Sequence, residues 1–188
     1  MPAPPFPIAK VNIQGLSPSD AINRFLSARE HDRWVLLGAH APQSLDQLWT
    51  AWIQAARNEL RGSMVARSVD AEFLRYLAGT HHISEAFARA GVQADQGSAW
   101  VVRLPLAVGE ANDLGHLQPR SVDDEGFEAG LESLLDELGW MHVNGDVCGS
   151  IEGCAILGID VSAWSENRTF ESVVAHVLMA DDQSSSHR

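Results

Sequence analysis

Cysteine, lysine and tyrosine are scarce in this 188-residue chain, which has two cysteines (Cys148 and Cys154), one lysine (Lys10) and one tyrosine (Tyr76). Two cysteines are too few for a disulfide framework, and too few for a zinc site without help from histidine, so both are expected to be reduced. Long apolar runs are missing as well. The longest near the start, Trp34 to Leu37, is a strand's worth, far short of the roughly 18 residues of a membrane span. Basic residues number 13 against 25 acidic ones, a net charge of −12. The division is uneven: residues 1 to 91 hold nine basic and eight acidic side chains, residues 92 to 188 four and seventeen. An anion would therefore be met by the first half. Twelve arginines beside a single lysine fit a GC-rich or salt-tolerant source. The opening Met1-Pro-Ala-Pro-Pro-Phe-Pro7 lacks the early basic residue and the helical apolar stretch of a signal peptide, which points to a cytoplasmic protein.

Catalytic signatures are absent too. No GK[ST] loop, GxGxxG, GxSxG or HExxH occurs, which argues against an enzyme and against a bound cofactor. His81 and His82, the only adjacent pair among eight histidines, would project about 100° apart on a helix and could not chelate one metal ion well. Cys148 and Cys154, with His142 nearby, read as a small apolar side chain and its glycine-rich loop rather than as zinc ligands. The acids between Asp123 and Glu137 read as the solvated face of a helix.

What the chain does contain is a core: 45% of it is apolar, including six tryptophans. Its length suits one domain. We expect residues 1–7 to be a disordered proline-rich tail, 8–180 a single α+β domain and 181–188 a second disordered tail. Ile8 to Gln14 alternates as a half-buried strand does. Ser17, Pro18 and Asp20 open a helix with a buried stripe of Ile22, Phe25 and Leu26. Arg33 to His40 reads as a buried strand, and Ser44 caps the clearest amphipathic helix, with Leu45, Leu48, Trp49, Trp52, Ile53, Ala56 and Leu60 on one face. Two short helices, Asp70 to Ala78 and His81 to Ala90, each end at a glycine, Gly79 and Gly91, where a left-handed cap is expected. Ser98 to Val108 reads as a strand placed at an edge or bent at Pro105. After a polar loop come a helix from Glu125 to Leu138 ended by Gly139, a short strand at Met141 to Val143 and a short helix at Ile151 to Leu157. In the segment Phe170 to Met179, the residues Val173, Val174, Val177 and Leu178 favour a strand for at least the second part. This mixture without regular βαβ alternation predicts an α+β fold, a small mixed or antiparallel sheet packed with several helices.

The segment Glu72-Phe-Leu-Arg-Tyr-Leu-Ala-Gly-Thr-His-His-Ile-Ser-Glu-Ala-Phe-Ala-Arg-Ala-Gly91 resembles the signature of the kinase-binding subunit of the KEOPS (EKC) complex, the family called TPRKB or PRPK-binding protein in animals. That signature has the form E-L-L-R-Y-L-S-G-x-R-Q-I-x-E-A-(I/L)-x-x-x-G. The likeness is strong over these twenty residues and diffuse elsewhere. It extends to an upstream helix ending near Arg57 to Arg61, and to Ile156 to Ile159 with Glu171 to Leu178, which resemble the family's last helix and strand. Residues 109–150 do not align, and the family's R-Q becomes His81-His82.

The resemblance implies a non-catalytic subunit that binds the atypical kinase of the complex and helps present tRNA, through its single-stranded 3′-CCA end, for threonylcarbamoylation of the adenosine beside the anticodon. It implies tRNA contact at Arg75, Gly79, Thr80, His81, His82 and Ile83, and kinase contact at Val173, Val174, Val177 and Leu178. The residues themselves are compatible, since backbone N–H groups at the start of the second short helix can face a phosphate and Arg75 lies one turn upstream. The plainer reading is that Gly79 and Gly91 only end helices, that Leu74, Leu77, Ile83 and Phe87 are core, and that Arg75 pairs with Glu72. Two other functions stay open at this point: a small enzyme using the His81-His82 or Cys148/Cys154 region, and a protein scaffold without RNA contact.

Overall fold

The computed structural model describes residues 2–161 and 169–182, leaving aside the side chains of Leu114, Thr169 and Phe170. Strands β1 (Ile8–Asn12), β2 (Trp34–Gly38), β3 (Ser98–Arg103) and β4 (Met141–Val143) form an antiparallel sheet in the order β2-β3-β1-β4. Apolar residues occupy both faces of the central strands, so both faces are covered by helices. On one face Ala9, Val11, Trp34, Leu36, Ala99 and Val101 meet α1 (Pro18–Ala28) and α5 (Asp124–Leu138). On the other, Val35, Leu37, Trp100 and Val102 join a larger core built with α2 (Leu45–Arg61), α3 (Val69–Leu77), α4 (Ile83–Ala90), α6 (Ile151–Ile156) and α7 (Thr169–Leu178). The protein is a single α+β domain, and no helix among the described residues is long and apolar enough to cross a membrane.

Local chemistry sets the helix boundaries. Ser17, Ser44, Asp123 and Ser150 each accept a backbone N–H at the start of α1, α2, α5 and α6, and Gly62 and Gly139 end α2 and α5 in the left-handed region. Trp49 and Trp52, one turn apart, meet edge to face with ring centroids 5.5 Å apart and anchor α2 in the larger core.

Six readings of the sequence are corrected. The segment before β1 is not a loose tail from Pro4 onward: Phe6 is buried, its ring edge-on to Trp49 at 4.8 Å, and the Trp49 indole N–H donates to the Pro4 carbonyl at 2.8 Å. β3 lies inside the sheet, and Pro105 falls beyond its last residue, so the missing N–H interrupts no ladder. The α1 stripe is Ala21 and Phe25, with Ile22 half-buried and Leu26 exposed. Gly91 is extended, with φ −76°, not left-handed; a side chain there would meet the Phe87 carbonyl oxygen at 2.5 Å. In α4 the buried residues are Ala86 and Ala90, while Ile83 is half-buried and Phe87 exposed. Finally, Glu171 to Leu178 is helical, because Val173 and Val177, four residues apart, bury one stripe in the larger core, a tertiary gain that overrides β propensity. Of the expected C-terminal tail, 183–188 lies outside the described residues, whereas Asp181 is held by side chains of α3.

Candidate functional site

The predicted tRNA-binding residues sit where α3 hands over to α4. Leaving α3, the N–H of Thr80 donates to the Arg75 carbonyl at 3.1 Å and that of Gly79 to the Tyr76 carbonyl at 3.0 Å, the paired bonds of a Schellman motif. Gly79 has φ +61°. A side chain there would also drive into the imidazole of His176 on α7. Gly79→Ala should therefore lower stability by at least about 1–2 kcal/mol from the left-handed backbone alone, read as a fall in the thermal midpoint.

Thr80 is fully buried; its hydroxyl donates to Glu85 Oε2 at 2.6 Å and accepts the His82 N–H at 3.2 Å. Hydrogen bonding by Thr80 and the nearby Arg89 charge hold the Glu85 carboxyl below its ordinary range, against the opposing effect of burial. Glu85 pairs with Arg89, whose guanidinium also donates to the Ala78 carbonyl at 3.2 Å. His82 is the exposed N-cap of α4, and its own side chain makes no cap hydrogen bond to the N–H groups that follow. His81 and Ile83 are half-buried, and His81 Nδ1 is buried without a partner among the described residues. The two imidazoles lie 6.1 Å apart and nearly perpendicular, a poor arrangement for chelation. Among the described residues no group of three or more His, Cys, Asp or Glu side chains is placed to hold a metal ion.

Arg75 is not a surface cation. It is fully buried, with Nη2 2.8 Å from Glu72 Oε1 and Nη1 2.7 Å from Asp181 Oδ1. The expected phosphate contact is thus replaced by an internal pair, as the plainer reading had it. Glu72 is equally buried, and its carboxylate also accepts Asn58 Nδ2 at 2.7 Å and the Ala66 N–H at 2.9 Å. Burial alone would raise the Glu72 carboxyl, but hydrogen bonds from Arg75, the Ala66 N–H and Asn58 outweigh it and hold it below the usual range. Burial likewise opposes the Arg75 charge, and the bonds to Glu72 and Asp181 win, raising its pKa. The Tyr76 hydroxyl, pushed up to about 12 by burial and by its hydrogen bond to Asp181, donates to Asp181 Oδ2 at 2.7 Å.

The predicted kinase-binding residues divide. Val173 and Val177 belong to the core and cannot offer a free surface, which corrects the expectation for both. Val174 is half-buried, and Leu178 is 52% exposed beside Met179 at 51%. A groove of about 380 Å³ runs along α7, lined by Ile159, Glu171, Ala175, His176 and Met179 among others. Sequence reasoning missed His176 and Asp181. The left-handed glycine was the one available signal that something approaches closely there. Two larger cavities, each about 600 Å³, lie away from the junction; one is bordered by Arg33, Arg103 and Arg120 and the other by Phe127 and Trp140.

A family model described as "Kinase binding protein CGI-121" matches residues 14–125, more than half of the chain, and that span contains the whole α3–α4 junction. The chain belongs to this family. CGI-121 proteins are kinase-binding subunits, the KEOPS family indicated by the signature at Glu72 to Gly91. In this CGI-121 chain the Glu and Arg of that signature are the buried Glu72–Arg75 pair, and its first glycine is the left-handed Gly79. The match stops before α6 and α7, so the C-terminal elements are read from their own geometry. No curated protein matches the chain.

Proposed function

We propose that this CGI-121 protein is a non-catalytic subunit that binds the atypical kinase of KEOPS and receives the 3′-CCA end of tRNA at residues 79–83, supporting threonylcarbamoyl-adenosine formation. The observation that carries the tRNA part is the junction itself. A turn closed by a Schellman motif leads into the N-terminus of an eight-residue helix that receives no side-chain cap from His82, with His82 exposed and His81 and Ile83 half-buried beside it. Ile83 and Phe87, four residues apart, share a helix face, and Phe87 is 42% exposed. With Arg75 internal, the site offers imidazoles, an aromatic ring and backbone N–H groups. These suit stacked, single-stranded nucleotides better than a duplex backbone.

Kinase binding is assigned to the outer face of α7, at Val174 and Leu178. These are the predicted residues of that helix left at least partly accessible once Val173 and Val177 are buried. Base stacking contributes about 1–3 kcal/mol per nucleotide. Removing CCA from tRNA is therefore expected to weaken binding on the order of tenfold or more in a filter-binding titration, and His82→Glu to produce a comparable loss that does not add to it. Equal affinity for intact and CCA-less tRNA would remove the 3′ end from the reading, and no measurable binding of either would leave a kinase scaffold without RNA contact.

A further inference from the structure

We propose that His176 couples the kinase-docking face of α7 to the tRNA junction, so that a kinase seated on α7 tightens the grip of residues 79–83 on the CCA end. The inference rests on the functional reading above and adds the regulation of that same site. His176 lies between docking face and junction: the groove it lines runs beside the Val174–Leu178 face, and Met179 on its wall adjoins Leu178. Its imidazole helps line the α7 groove beside Ala175 and Met179, and its Nε2 lies 2.9 Å from the Ala78 carbonyl oxygen and 3.1 Å from that of Leu157. Two carbonyl acceptors on one ring nitrogen fix the tautomer with a hydrogen on Nε2 and orient the ring toward the junction. That ring occupies the space a side chain at Gly79 would need, so ring and turn pack directly against each other.

A second link closes the loop. Asp181, just past α7, holds Arg75 at 2.7 Å and the Tyr76 hydroxyl at 2.7 Å, and the carbonyls of these two residues accept the N–H groups of Thr80 and Gly79. The last turn of α3, the left-handed glycine and the end of α7 are thus tied together from two sides. The matched occupant of the groove is an apolar side chain of the kinase flanked by a basic one, since Ile159, Ala175 and Met179 provide apolar wall and Glu171 is exposed at the rim. Filling the groove presses the imidazole toward Ala78 and Gly79 and lowers the ordering cost that the CCA end would otherwise meet. His176 and Asp181 act as positioning residues and touch neither tRNA nor nucleotide.

The test measures binding of a fluorescent single-stranded RNA ending in CCA, by anisotropy, to the full chain alone and with saturating kinase, after subtracting binding to kinase alone. A sequence lacking CCA serves as control. Coupling between two sites typically spans fivefold to 150-fold, so kinase should tighten CCA binding by at least about fivefold, and CCA RNA should tighten kinase binding by the same factor. His176→Ala, shown to be folded by circular dichroism and measured at a kinase concentration that saturates the variant itself, should reduce the factor to near one. His176→Gln, which keeps an amide donor for the Ala78 carbonyl, should retain part of it. Asp181→Asn supplies an independent variant that removes the charge and one of the two acceptor oxygens of the second link, and should also lower the factor. Selective CCA binding that kinase leaves unchanged, or an undiminished factor in both His176→Ala and Asp181→Asn, would overturn the coupling alone. Failure to distinguish CCA from control RNA would overturn the junction reading and the coupling with it.

Discussion

Replacing Arg75 with alanine is expected to destabilise the protein by about 3–5 kcal/mol, the range for removing one partner of a buried ion pair. The variant would leave Glu72, whose side chain has no exposure, without its cation in the middle of a satisfied network. It would also release Asp181 from the end of α3. Arg75→Lys should rescue little, because an ammonium cannot reach Glu72 and Asp181 with the same planar fork. Urea denaturation reads the effect directly, and a loss below about 1 kcal/mol would return Arg75 to the surface role that its neighbourhood in the sequence first suggested. The network also imposes a pH dependence. The carboxyls of Glu72 and Asp181 are held below their ordinary values in the folded protein: burial opposes this, and the bonds to Arg75 and to their other donors outweigh it. Their stabilisation is therefore complete above the ordinary carboxylate range and is lost as pH falls through the lowered folded values. Glu72→Gln should flatten that acid limb.

Val177→Glu should unfold the chain or nearly so, with a loss on the order of 4 kcal/mol or more, since it forces a carboxylate into the core between α7 and the helices beneath it. Leu178→Glu, one residue later, should change stability by no more than about 0.5 kcal/mol because Leu178 is half exposed, yet it should weaken kinase binding measured by calorimetry. The contrast separates a residue that builds the docking helix from one that faces the partner. If Leu178→Glu binds kinase as tightly as the wild type, docking lies elsewhere than the outer face of α7.

Much of the fold was legible because periodicity and caps agreed. Ser44, the stripe from Leu45 to Leu60 and Gly62 specify α2 without reference to anything distant. The failures came where distant contacts decide. Val173 and Val177 read as a strand because β-branched residues usually do, and only the surfaces of α2 and α3 beneath them select the helix. Pro4 and Phe6 read as a loose arm because prolines precede the strand, yet the Trp49 indole, some 40 residues on, ties that arm down. At the site, the motif located the α3–α4 junction and the left-handed Gly79, both local properties. The Arg75–Glu72 pair, one turn apart, was within reach of the sequence, whereas the third member of the network, Asp181, more than 100 residues away, was not. The same holds for His176, which no spacing within the motif announces.

The most direct measurement is photocrosslinking from a tRNA that carries a photoreactive nucleotide at its 3′ terminus, mapped on this chain by mass spectrometry of tryptic peptides in the presence of the kinase. The account predicts crosslinks in the peptide that follows Arg75 and ends at Arg89, which contains the whole 79–83 junction and the exposed Phe87. Crosslinks concentrated instead around the cavity bordered by Arg33, Arg103 and Arg120, with residues 76–89 unmarked, would contradict it.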